Sequence, residues 1–87
     1  HHDILYTEAS GNYTKFVSRD QQLMAAMTFT SAEELLPRAV FVRIHRSFII
    51  NKSKIGHIEG NIVRIGAAEI PIGSNYRADF LKEIGMS

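Results

Sequence analysis

The 87-residue chain is 45% hydrophobic with two prolines and no cysteine, enough apolar material for one small core and too little for a second domain. Ten lysines and arginines against nine acidic residues leave a formal charge of +1, so the chain is no polycationic tail, and any affinity for nucleic acid must come from where the charges lie. The lack of cysteine excludes disulfides, thiolate nucleophiles and thiolate zinc sites, and a small domain that does without staples fits a reducing cytoplasm.

Apolar runs reach only four or five residues, against the roughly 20 needed to cross a bilayer, and no signal-peptide pattern is present. No membrane partner is expected. Residues 1–87 read as a single domain, with His1-His2 as the stub of a purification tag.

Asp3 to Ala9 can alternate between two faces and is rich in β-branched and aromatic residues, which favours a strand. Ser10-Gly11-Asn12 supplies turn chemistry and Tyr13 to Ser18 resumes extended structure, so the two segments form a hairpin. After the polar turn Arg19-Asp20-Gln21, a third strand is expected from Gln22 to Phe29. The period then changes. Thr30 with Glu33, or Ser31 with Glu34, fits a capping box, and Pro37 stops a helix of about two turns.

Strands return at Phe41 to Ile44, Ile49-Ile50, Ile55 to Glu59, Ile62 to Ile65 and Glu69 to Ile72. Gly60-Asn61 and Gly66-Ala67 place glycine where a type II′ hairpin turn demands it. A second helix is expected from Ser74 or Asn75, with Tyr76, Phe80 and Ile84 at a spacing of four and Gly85 as its C-terminal cap. The expected fold is mainly β, with about eight to ten short antiparallel strands in small stacked sheets and one or two short helices. Long alternating strands and helices are missing, which argues against a parallel doubly wound sheet.

Within this pattern Phe41 to Asn51, F-V-R-I-H-R-S-F-I-I-N, stands out because Arg43, His45 and Arg46 interrupt an apolar run. Burying any of them unpaired costs several kcal/mol. Some must therefore emerge at a surface while the flanking residues anchor the backbone.

Together with I-L-Y-T-E-A-S-G-N-Y-T-K-F near the start, E-E-L-L-P before the central run and I-P-I-G-S-N-Y-R-A-D-F near the end, this block resembles the LytTR DNA-binding domain family. The resemblance covers Asp3 to about Ile84. It implies an elongated, mostly antiparallel β architecture that contacts double-stranded DNA through loops rather than a recognition helix. Loops of the family enter two successive major grooves, and a residue between them lies near the intervening minor groove, bending the duplex. The resemblance also implies a bacterial transcriptional regulator and, in the full-length protein, an N-terminal receiver domain. A sensor histidine kinase would act on that receiver indirectly. The isolated domain would be a monomer that pairs on promoter repeats.

Carried onto this chain, the first contact region is Asn12, Tyr13, Thr14 and Lys15, with base contact at Asn12 or Thr14 and phosphate contact at Lys15. The central block supplies Arg43, His45, Arg46 and Ser47. Arg46 is the intermediate contact, where a narrow minor groove rewards a guanidinium, and His45 and Ser47 are phosphate donors. The third block supplies Ser74, Asn75 and Arg77, where an asparagine can pair bidentately with adenine and helix-start amides favour phosphate.

Structural readings stand beside these. Arg43 fits equally a solvated strand residue or an ion pair with Glu8 or Glu59, and His45 fits a hydrogen-bonded residue ordering the turn. Gly11 and Asn12 fit simple turn formers, and Ser74 a helix cap. Tyr13 and Tyr76 fit either packing against sugar or support of their loops from behind. Tyr6, Phe16, Phe41, Phe48 and Phe80 read as core, and Asn51 as a turn-closing side chain.

His45 and His57 show no H-x-x-x-H or H-E-x-x-H spacing, Ser47 lies in no nucleophile elbow, and no glycine-rich phosphate loop occurs. No enzyme activity, metal or cofactor is therefore expected. The alternative from another class is a β-rich protein-interaction module that accepts a partner strand at a sheet edge.

Overall fold

A computed structural model of the protein describes residues 3–85, so the tag reading of His1-His2 lies outside the described residues. The first hairpin pairs β1 (Ile4–Ser10) with β2 (Tyr13–Ser18), Ser10 lying opposite Tyr13. Gly11 closes it at φ +61°, and Asn12 keeps a negative φ, the signature of a II′ turn in which only the first central residue must be glycine. Gly60 has the same signature in a later hairpin, as its position predicts.

The third strand, β3 (Gln22–Ala25), pairs with β2 and stops four residues before its expected end. The Thr14 hydroxyl donates to the Met27 carbonyl at 3.0 Å and turns the chain away from the sheet. Thr28 then caps α1 (Phe29–Leu35) by accepting the Ser31 amide at 3.1 Å. Neither Thr30 with Glu33 nor Ser31 with Glu34 forms the cap. The Thr28 hydroxyl instead donates to the Ser31 hydroxyl at 2.9 Å, which leaves Glu33 free for another partner. The helix has about the expected two turns.

Strands β4 (Phe41–His45) and β5 (Phe48–Asn51) complete a five-stranded antiparallel sheet in the order β3-β2-β1-β5-β4. Asn51, 1% exposed, closes the following turn as its residue type suggests. Its Nδ2 donates to the Ile4 carbonyl at 2.9 Å, and its Oδ1 accepts the Ser53 amide and hydroxyl at 3.0 and 2.8 Å. After a 3-10 turn at Lys52–Lys54, β6 (His57–Glu59), β7 (Ile62–Ile65) and β8 (Ala68–Pro71) form a three-stranded sheet.

The last helix, α2 (Arg77–Glu83), begins two or three residues later than the spacing suggests, because the Tyr76 amide closes a turn onto the Gly73 carbonyl at 2.9 Å. Tyr76 occupies its N-cap with no side-chain cap bond, so Ser74 does not cap the helix, and Ser74 and Asn75 are exposed turn residues before it. Gly85 ends α2 at φ +80°, its amide donating to the Lys82 carbonyl at 3.1 Å.

The two sheets stack on a core of Ile44, Ile50, Val63, Ile65, Ile70, Ile72 and Phe80. On the opposite face of the larger sheet, α1 covers Leu36, Phe41 and Ile49, with Phe16 and Phe29 beside them. The adjacent Ile49 and Ile50 are thus buried on opposite faces, which is why β5 shows no polar alternation. The mainly β architecture of small stacked sheets with two short helices is the one expected, over a longest dimension of 35 Å.

Candidate nucleic-acid interface

Backbone bonds bring the three sequence blocks to one end of the molecule. The Ala9 amide donates to the Ser47 carbonyl at 2.9 Å, setting the β1–β2 hairpin beside the β4–β5 turn. The Gly73 amide donates to the Ile44 carbonyl at 2.7 Å and sets the loop before α2 against the other side of that turn. An open cleft of about 440 Å³ lies between them, lined by His45, Arg46, Gly73, Ser74, Asn75 and Tyr76.

Glycine eases the close approach here. A Cβ built on Gly73 would stand 3.1 Å from Tyr76 Cδ2 and 3.5 Å from the His45 Cα. The opposing strands also slip register between Arg43 and His45, a bulge that re-aims the residues entering the turn.

The cations of these loops fall into two groups. Arg46 is exposed, and among the described residues its side chain has no hydrogen bond or ion pair. Lys15 pairs with Glu8 at 3.5 Å but stays partly exposed. Arg77 is a latch, its Nη1 donating to the Asn61 Oδ1 at 2.7 Å and the Gly60 carbonyl at 2.9 Å, so it ties α2 to the β6–β7 hairpin.

Arg43 is the most committed of all. Its Nε donates to the His45 carbonyl at 3.2 Å, Nη1 to Glu33 Oε1 at 3.0 Å and Nη2 to the Arg46 carbonyl at 2.7 Å. The guanidinium carbon also lies 5.0 Å from the Phe29 ring centre and 5.6 Å from that of Tyr76. The ion pairs considered with Glu8 or Glu59 do not form, because those acids face Lys15 and His57. Arg43 shares its sheet face with Ile49, the side covered by α1, where Glu33 waits.

His45 Nδ1 accepts the Ser47 amide at 3.1 Å, so the neutral ring carries its proton on Nε2 and orders the turn, packed edge-on against Phe48 at 5.5 Å. Asn12 and Tyr13 are exposed at the hairpin tip. Thr14 is not: it is 0% exposed and its hydroxyl is spent on the Met27 carbonyl, so of the two residues read as candidate base contacts only Asn12 is at the surface.

Phe29 and Glu33, which hold Arg43, were not legible as site residues, since Phe29 reads as a strand end and Glu33 as a capping-box acid. The available signal was Arg43 itself: a guanidinium between two apolar residues needs a carboxylate, and Glu33 lies on the element just upstream. Tyr76 supports its loop from behind, half-buried beneath Arg43.

The comparisons with known proteins point the same way. A family model described as the LytTr DNA-binding domain matches residues 1–85. The sensory transduction protein LytT of Enterococcus faecalis is 31% identical over 75 residues, 78% of this chain and 31% of that protein. LytT of Bacillus subtilis is 26% identical over 86 residues, 92% of this chain and 36% of that protein. The chain thus spans about a third of the length of these curated relatives. A solved LytTr DNA-binding domain from Bacillus cereus superposes with a TM-score of 0.89 at 26% identity, covering 97% of this chain and 83% of that one. With its fold, its three converging loops and a family match over nearly its whole length, the chain belongs to the LytTr family of DNA-binding domains.

Proposed function

We propose that the chain is a sequence-specific double-stranded DNA-binding module of a bacterial transcriptional regulator, working through loops at one end of two stacked sheets. The observation that carries this reading is Arg46, an uncommitted guanidinium on the rim of a cleft shared with exposed Ser74 and Asn75. A guanidinium there can enter a narrow minor groove, while Asn75 and Asn12 on flanking loops test bases and Lys15, Ser47 and Ser74 donate to phosphates. His45 shapes the turn through Nδ1 and retains an Nε2 proton that can reach a phosphate. Tyr13 at the hairpin tip packs on sugar.

In the same reading the module is the output part of a cytoplasmic response regulator, with a receiver domain in the same polypeptide, a sensor histidine kinase acting through that receiver, and pairing of copies on promoter repeats. No cofactor or metal takes part.

One observation favours the strand-accepting alternative: β3 is an edge strand with Leu23 64% and Met24 48% exposed. Salt separates the two. Duplex binding should weaken with a log-log slope of roughly −0.9 per neutralised phosphate, whereas strand addition depends weakly on salt. Fluorescence titration of a duplex selected from a randomised library, at two salt concentrations, tests the proposal.

A further inference from the structure

We infer that Arg43 and Glu33 are a positioning pair for this interface: the guanidinium never meets DNA but holds the Arg46 loop in its binding shape, with α1 as its anchor. The inference rests on the DNA-binding reading above and deepens it. Arg43 spends a hydrogen bond in each of three directions, and two of the three acceptors are carbonyls of the turn that carries Arg46, those of His45 and Arg46 itself. Moving the guanidinium to a phosphate would break all three of these bonds together.

The same guanidinium lies against Tyr76, the residue that packs under Gly73, so it also bears on the loop that carries Ser74 and Asn75. Phe29 and Glu33, from the first two turns of α1, complete its surroundings. One cation thereby ties a helix that lies outside the three contact blocks to the middle and third loops. This accounts for a charged residue on a half-buried strand face, where β4 would otherwise carry an apolar side chain.

The two functions a cation can have here differ in how they respond to salt and to conservative substitution. A phosphate contact depends on charge and survives replacement by lysine. A fork that grips two carbonyls and a carboxylate does not, because an ammonium is a point donor without that geometry. Glu33 offers a second handle: glutamine retains an acceptor oxygen where alanine has none.

The test is a duplex titration across salt with Arg43→Lys, Glu33→Ala, Glu33→Gln and Arg46→Ala, each below its melting temperature, together with amide exchange at Ser47 and Gly73 in the free protein. Arg43→Lys and Glu33→Ala should each weaken binding about three- to thirtyfold with the wild-type salt slope, Glu33→Gln should recover most of the loss, and only Arg46→Ala should flatten the slope. Both weakened variants should exchange Ser47 and Gly73 amides at least about tenfold faster. Wild-type affinity in Arg43→Lys, or wild-type slope and affinity in Glu33→Ala, overturns the pair. A flattened slope in Arg43→Lys overturns it as well, since Arg43 would then touch phosphate. If the wild-type protein binds no duplex, the functional reading fails, and the exchange data still decide whether Arg43 and Glu33 hold the turn: unchanged protection rejects it.

Discussion

Arg43 donates through Nη2 to the backbone carbonyl of Arg46 at 2.7 Å, so one arginine of the central block holds the peptide from which the other projects. Both have the same formal charge and lie three residues apart, yet one is committed to protein on every side and the other is exposed. Formal charge alone therefore says little about which cation reads DNA. The count of committed donors says more.

The seam between the loops is tight enough to tax a single methyl group. Gly73→Ala would put a Cβ 3.1 Å from the Tyr76 ring, in a loop whose amide is bonded to Ile44. Its φ lies outside the left-handed region, so the strain is steric. We expect a fall in duplex affinity of about 1–2 kcal/mol, by displacement of Ser74 and Asn75, with a stability change of similar or smaller size. Calorimetric melting beside DNA titration checks this; unchanged affinity would mean the loop yields freely.

Asn51 carries stability at a distance from the interface. Asn51→Ala removes the donor to the Ile4 carbonyl and the acceptor for two Ser53 groups. Leaving partly buried polar groups unpaired should cost about 2–3 kcal/mol. Urea denaturation measures it, and a loss below about 0.5 kcal/mol would show that water replaces the side chain.

Thr7 points in the other direction. It is 0% exposed, and its hydroxyl has no hydrogen-bond partner among the described residues. Thr7→Val removes a buried polar group and keeps the β-branched shape, so it should raise stability by about 1 kcal/mol, read as a higher melting temperature. A lower melting temperature would reveal a partner for the hydroxyl.

Phe80 is the aromatic centre of the core between the sheets, 0% exposed. Phe80→Ala should cost about 3–5 kcal/mol in chemical denaturation. A loss below 1 kcal/mol would place the core elsewhere.

The hairpins were legible because their information is local: glycine at the first turn position and alternation beside it set both register and turn type. The start of α1 was not, since Met27, Thr28 and Phe29 all suit a strand and the bond that ends it comes from Thr14, thirteen residues earlier. Gly85 as a helix stop needed only its own position, whereas the start of α2 depended on a turn closed between Gly73 and Tyr76. The three blocks that meet at the candidate interface were readable as a resemblance. The division of labour within them was not: Arg43 meets Glu33 and Tyr76 from ten and thirty-three residues away, and Thr14 is buried although its neighbours Asn12 and Tyr13 are exposed.

The central claim is that Arg46 reaches DNA from a loop that the rest of the protein builds. It is tested most directly by titrating wild-type protein and Arg46→Ala against the same selected duplex over a range of salt. The account predicts an unchanged melting temperature, an affinity lower by about 1–3 kcal/mol and a salt slope shallower by about one. A folded Arg46→Ala protein that binds with wild-type affinity and slope would contradict it.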